Sequence, residues 1–165
     1  LFDNIKPSVA LLNIGSEELK GNAMIKDTYQ LLNDNIYPLY DFKGYIEGNH
    51  IMDGNVNVIV ADGFTGNIAL KTAEGTSNFI ISELKKALTR SFIGKLSSLI
   101  NFSNLKNLRK KLDPRLYNGA ILLGLDKPVI KSHGSTDSLG FANSLKVCEK
   151  TIKGKLIDQI KTNIK

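Results

Sequence analysis

Residues Val58–Gly75 read VIVADGFTGNIALKTAEG, and this switch of pattern constrains the chain more than any other stretch. The apolar run Val58-Ile59-Val60-Ala61 reads as a buried strand. It stops at Asp62-Gly63, Gly66 and Asn67 follow, and Ile68, Leu70 and Ala73 then begin a helical pattern. In open α/β sheets, ligands sit where strands end and helices begin. The backbone N–H groups of a new helix favour an anion, and small residues such as Gly63 and Gly66 let a ligand approach the main chain. Asn67, Lys71 and Glu74 are spaced by one turn each, so the three polar side chains share one helix face. A solvated strand-to-helix turn uses the same residue types, so the stretch alone leaves both readings open.

The rest of the chain repeats the alternation. Val9–Ile14 reads as a strand ending at Gly15, a helix is expected over about 21–32, and Tyr37–Tyr45 reads as a second strand followed by Glu47-Gly48. Val56–Ala61 is the third. A long helix is expected from about Thr65, with Gly75 a point where it bends. Gly119–Leu123 and Val129–Lys131 read as short strands joined by the turn Leu125-Asp126-Lys127-Pro128. A final helix after Gly134-Ser135 is expected to run to the C-terminus. Its Phe141, Leu145, Cys148, Ile152 and Leu156 fall at helical spacing and are expected in the core. This order predicts an α/β fold, a three-layer α/β/α sandwich with a largely parallel sheet.

Composition narrows the class. The chain has 165 residues, 42% apolar and 23% charged, as in ordinary globular proteins. Cys148 is its single cysteine, which points to a reducing compartment, the cytoplasm, and to a thiol packed in the core rather than a nucleophile. No run has transmembrane length. The net charge of +6 is concentrated: residues 85–115 carry nine Lys or Arg against Asp113 alone, whereas the remainder carries 13 basic against 15 acidic residues. Such a band suits an acidic partner. It lacks a recognition-helix motif and interleaved stacking aromatics, so nucleic acid is not expected.

A second group, Lys131-Ser132-His133-Gly134-Ser135-Thr136-Asp137, ends a strand and opens the last helix, with Ser135 or Thr136 suited to the N-cap. His133 and the hydroxyls could donate hydrogen bonds to a phosphate or an oxyanion; a cap with an incidental histidine accounts for the spacing equally well. Neither His50 nor His133 has a ligand-spaced partner, so no metal site is expected. Phosphate loops of the GxGxxG and GxxxxGK[ST] types and a GxSxG elbow are missing from the sequence.

Taken in order, VALLNIGSEELKGN (Val9–Asn22), GYIEG (Gly44–Gly48), ADGFTGNIALKTAEG (Ala61–Gly75), GAILLG (Gly119–Gly124) and SHGSTD (Ser132–Asp137) resemble the phosphate acyltransferase family of bacterial phospholipid synthesis, the acyl-acyl-carrier-protein:phosphate acyltransferases (PlsX). The resemblance runs from about Pro7 to Asn143 and marks residues 1–165 as the C-terminal part of such an enzyme. The chain does not begin with Met, and the glycine-rich first phosphate region expected N-terminal to it is absent from this sequence. Asn49-His50 stands where a more basic pair is expected, and Tyr117-Asn118-Gly119 replaces a Tyr-Gly-Gly type turn.

The resemblance implies a fold similar to the isocitrate and isopropylmalate dehydrogenases, a homodimer, and no metal or organic cofactor. The implied reaction moves a fatty acyl group from acyl carrier protein to inorganic phosphate. Phosphate is already a nucleophile and a thiolate a tolerable leaving group, so such an enzyme works mainly by positioning and charge stabilisation. On this reading Lys71, Asn67 and the N–H groups near Gly66 hold phosphate, and His133 and Ser132 donate to substrate oxygens. Asp62 orients Lys71 or Asn67, acts as a base, or simply closes the strand. Gly63, Gly134, Ser135 and Glu47 complete the expected pocket.

Residues 85–115 are expected to form a protruding amphipathic helical hairpin around Asn101-Phe102-Ser103-Asn104. Phe92, Ile93, Leu96, Leu99 and Ile100 line one piece and Leu105, Leu108 and Leu112 the other, flanked by Lys95, Lys106, Arg109, Lys110 and Lys111. An apolar tip with cationic flanks suits peripheral contact with an anionic membrane; the band also suits acyl carrier protein, or a dimer interface with solvated lysines. Two other functions remain open: a phosphate acetyl- or butyryltransferase-like enzyme using acyl-coenzyme A, and a non-catalytic binding or regulatory module.

Overall fold

A computed structural model describes residues 6–34, 39–134 and 136–163. They fall into two compact units, 6–73 and 74–163 within those ranges. The architecture is α/β, with a parallel sheet of three strands and six α-helices among the described residues.

In the first unit β1 (Ser8–Asn13) is the central strand, with β2 (Asp41–Glu47) and β3 (Val58–Val60) parallel on either side. Asn13 pairs with Glu47, and Leu11 with both Tyr45 and Val60, so the three strands end along one edge. The β1–β2 register shifts between Val9 and Leu11. Gly44 stands opposite with φ +77°, which only glycine adopts without strain, and the extra residue is accommodated as a bulge. Ala10, Leu12 and Ile46 form the buried cluster, with Ile51, Val56, Ile59 and Ala69 packed on it. The other face carries Tyr29 of α1 (Ala23–Asn33), whose ring meets those of Phe42 and Tyr45 at 5.7 and 4.6 Å. Asn22 caps α1 by accepting from Ile25 N–H.

Two expectations shift here. The second strand is displaced toward Glu47 relative to Tyr37–Tyr45, whose first two positions lie outside the described residues. The bulge at Gly44 lets pairing continue to Glu47. The long helix α2 (Gly63–Thr89) starts two residues before Thr65, because Asp62 caps it, and it runs through Gly75 without interruption. A solvated glycine weakens a helix by about 1 kcal/mol without ending it.

In the second unit α3 (Phe92–Ile100) follows α2 after Arg90-Ser91, and Ser91 caps it through Gly94 N–H. Gly94 is required there: a Cβ would lie 2.6 Å from the Leu88 carbonyl oxygen. Asn101 links α3 to α4 (Phe102–Lys111). The helix pair is thus narrower than the expected 85–115, since residues to Thr89 belong to α2 and Pro114–Tyr117 form a 3-10 turn. β4 (Ala120–Ile121) and β5 (Ile130–Lys131) make the expected antiparallel hairpin.

The last helical region departs most from expectation. It is not one helix: α5 (Ser138–Lys153) stops at Gly154-Lys155, where Lys155 takes φ +48°, and α6 (Leu156–Asn163) begins anew. The face of α5 packed against the 3-10 turn is also not the apolar one. Gly140, Ser144 and Thr151 are buried, whereas Phe141, Leu145 and Ile152 are 53%, 57% and 58% exposed, with Cys148 in between. Small side chains explain the choice. The chain at Gly119 (φ +115°) lies so close to α5 that a Cβ there would meet the Ser144 Cα and Val147 Cγ2 at 3.0 Å.

Candidate functional site

The strand-to-helix turn belongs to the first unit. Asp62 Oδ1 accepts from the N–H of Phe64 at 3.0 Å and of Thr65 at 2.9 Å, while its backbone carbonyl accepts from Gly66 N–H at 2.9 Å. Hydrogen bonds from Thr65 and Phe64 hold the Asp62 carboxyl below the usual carboxylate range. Asp62 is therefore an anionic helix cap and a weak base at neutral pH. The amides of Phe64, Thr65 and Gly66, expected to face a phosphate, are already engaged by Asp62. Asn67 and Lys71 follow on the exposed surface of α2, four residues apart on one face. Glu47 closes β2 beside Asn13 at the same sheet edge. Asn13 is buried; its Nδ2 donates to the Lys20 carbonyl at 3.1 Å, and its Oδ1 has no hydrogen-bond donor among the described residues. A Cβ at Gly21 would sit 2.4 Å from that oxygen, so only glycine fits against it.

The Ser132-His133-Gly134 loop belongs to the second unit and is held from below by one side chain. Asn118, 9% exposed, accepts His133 N–H on Oδ1 at 3.0 Å. Its Nδ2 donates to Ser132 Oγ at 2.8 Å, Thr136 Oγ1 at 3.1 Å and the Gly140 carbonyl at 2.9 Å. Thr136 N–H returns to the His133 carbonyl at 3.1 Å, closing a tight turn that leaves His133 exposed. Ser135, expected in the pocket or as cap, lies outside the described residues. The cap of α5 is Asp137, accepting Gly140 N–H at 3.0 Å, rather than Ser135 or Thr136. Thr136 Oγ1 instead serves Asn118. Gly140 has no alternative, since a Cβ would fall on Thr136 Oγ1.

An ion bracket reinforces this loop. Arg115 donates through Nε and Nη2 to Asp113 and through Nη1 to Asp137 Oδ2 at 2.7 Å, and Asn143 Nδ2 holds the Arg115 carbonyl at 3.1 Å. Arg115 hydrogen bonds hold the Asp113 carboxyl below its usual range, and the Gly140 N–H followed by Arg115 does the same for Asp137. Sequence reading missed Asn118, Arg115 and Asn13 as organisers. Asn13 had a signal, a polar residue ending an apolar strand; Asn118 showed only as a departure from a Tyr-Gly-Gly type turn, and its contacts, like those of Arg115 with Asp137 and Asn143, span 14–28 residues of chain.

In the helix pair, Ile100 and Phe102 flank the Asn101 link and are 78% and 64% exposed, as are Phe92 and Leu96 to a similar degree, while Leu105 is half-buried. Arg109, Lys110 and Lys111 form the last turn of α4, where cations also oppose the helix dipole. No helix among the described residues is long and apolar enough to cross a membrane.

A parallel sheet that hands over to a capped helix at Asp62, together with a braced Ser-His-Gly turn, defines an α/β protein whose polar groups gather at element ends. The sequence model of the fatty acid synthesis protein family matches residues 1–158, and the chain belongs to that family. It is similar to a phosphate acyltransferase of Pelagibacter ubique, 65% identical over 168 residues that cover 99% of this chain and 50% of that protein. Phosphate acyltransferases of Agrobacterium fabrum and Maricaulis maris are 42% and 44% identical over 165 residues, covering 100% and 99% of this chain and 47% of each relative. The chain spans about half the length of the curated relatives it matches.

Proposed function

We propose that this chain forms part of an enzyme that transfers a fatty acyl group from the thioester of acyl carrier protein to inorganic phosphate, supplying acyl phosphate for phospholipid synthesis. The observation that carries the reading is the likeness to proteins named phosphate acyltransferase along essentially the whole chain. A phosphate oxygen attacks the thioester carbonyl carbon; the new C–O bond forms, the C–S bond breaks, and the thiolate leaves with the electron pair and is protonated from water. Lys71 and Asn67 hold the phosphate. With Asp62 already occupying the helix amides, the positive charge of Lys71 supplies most of the attraction for an anion. Ser132 and His133 donate hydrogen bonds to substrate oxygens, strongest where negative charge develops.

The same reading carries a three-layer sandwich like that of the isocitrate and isopropylmalate dehydrogenases, a homodimer, and peripheral contact with an anionic membrane through Ile100, Phe102 and the α4 cations. The discriminating experiment measures release of free thiol from acyl-acyl carrier protein and from acyl-coenzyme A, each with and without phosphate, using the full-length gene product that contains this chain. Phosphate-dependent release preferring the carrier protein supports the reading. Preference for a short acyl-coenzyme A moves the protein to the acetyl- or butyryltransferase class, and no release with either donor leaves a binding module.

A further inference from the structure

Asn118 stands where the chain departs from a Tyr-Gly-Gly type turn, and it makes four hydrogen bonds from one buried amide. Two of the partners fix which way the amide points. His133 N–H can only donate, so it must face Oδ1; the Gly140 carbonyl can only accept, so it must face Nδ2. With one Nδ2 proton taken by the Gly140 carbonyl, the other is shared between Ser132 Oγ and Thr136 Oγ1, and neither hydroxyl proton can point back at Nδ2. Ser132 is thereby left with its own O–H directed away from the brace, available as a donor. The fold is built around this contact: Gly140 must lack a Cβ, and Gly119 takes φ +115° where the Asn118-Gly119 segment lies against α5.

We propose that Asn118 is a positioning residue for acyl transfer, fixing the Ser132 hydroxyl as an outward donor and pinning the His133 main chain so that both meet the reacting oxygens. The proposal rests on the acyl-transfer role given above to Ser132 and His133. Asn118 touches no substrate; it works by removing alternatives, since a hydroxyl that can rotate and a turn that can open must be ordered anew in each transition state. The main effect therefore falls on turnover rather than on binding.

The test compares wild type, Asn118→Gly, Asn118→Asp, Ser132→Ala and the double variant Asn118→Gly/Ser132→Ala in the full-length gene product. It measures kcat and the KM for phosphate and acyl donor, together with amide hydrogen exchange of the 132–136 peptide. Asn118→Gly is expected to lower kcat at least tenfold with both KM values within threefold, and to speed exchange at His133 at least tenfold. In the Ser132→Ala background the same substitution should cost at most a third of that factor. In Asn118→Asp the carboxylate cannot donate to Gly140 O, but its protonated form regains one donor, so kcat relative to wild type should rise as pH is lowered. Unchanged exchange, unchanged kcat, or a loss confined to KM overturns the proposal, and if Asn118→Gly fails to fold, a flat pH ratio for Asn118→Asp does so. A wild type that makes no acyl phosphate overturns the acyl-transfer reading instead, with the exchange result still deciding whether Asn118 holds the loop.

Discussion

Arg115 Nη1 lies 2.7 Å from Asp137 Oδ2, and Asp137 Oδ1 at the same time caps α5 through Gly140 N–H. One carboxylate thus ties the 3-10 turn, through Arg115 and Asp113, to the helix that follows the His133 turn. Asp113 and Asp137 both titrate below their ordinary value of 3.8 in the folded chain. Near that pH the unfolded chain binds more protons, so the stability they add is full above about pH 4 and lost as pH falls through the lowered values. Asp137→Asn keeps a good cap and removes the ion pair. Its melting temperature should fall less steeply than that of wild type between pH 5 and pH 2.5, on the order of the usual carboxylate range; parallel slopes would remove the bracket from the stability of this region.

Lys71→Ala should raise the KM for phosphate about 10- to 150-fold, because a hydrogen bond to a charged group contributes about 1.5–3 kcal/mol. Circular dichroism should be unchanged, since Lys71 sits on the exposed surface of α2. Unaltered phosphate kinetics would remove Lys71 from the site.

His133→Ala should lower kcat more than it weakens substrate binding, because the donated bond matters most as charge develops on the oxygen. His133→Gln restores a neutral donor and should recover part of the loss. Normal turnover in His133→Ala would reduce the residue to a turn position held by Asn118.

Replacing Ile100 and Phe102 by Ser and Asp should abolish salt-sensitive binding to vesicles containing anionic lipid while the oligomeric state persists. Each basic residue near an anionic leaflet contributes about 1 kcal/mol, screened by salt, and apolar insertion adds about 25 cal/mol per Å². Dissociation of a dimer with vesicle binding intact would make these residues an interface between subunits.

What the sequence revealed, and what it hid, follows from the range of the forces involved. The β3–α2 handover at Asp62 was legible because an apolar run, a capping carboxylate and a helical pattern are all local. The extent of β2 was not, because Gly44 carries a bulge that only pairing with β1 reveals. Phe141, Leu145 and Ile152 were correctly spaced on one face of α5, but spacing identifies an apolar stripe without saying what covers it. The buried face is instead Gly140, Ser144 and Thr151, chosen by how closely Gly119 and Asn118 approach. Ser132 and His133 were visible as a motif; the amide that organises them lies 14 and 15 residues upstream and showed only as a departure from a Tyr-Gly-Gly type turn, with nothing to say what it holds.

The central claim is that phosphate, and not water, receives the acyl group. The most direct measurement traps the product: the full-length gene product is incubated with acyl-acyl carrier protein and inorganic phosphate, and acyl phosphate is read by its phosphorus resonance and by conversion to the hydroxamate with hydroxylamine. Phosphate acyl transfer predicts hydroxamate in proportion to phosphate and equal to the carrier-protein thiol released. With the hydroxamate that the thioester itself gives without enzyme subtracted, thiol release without a phosphorus resonance of acyl phosphate, or enzyme-dependent hydroxamate that does not vary with phosphate, would contradict it.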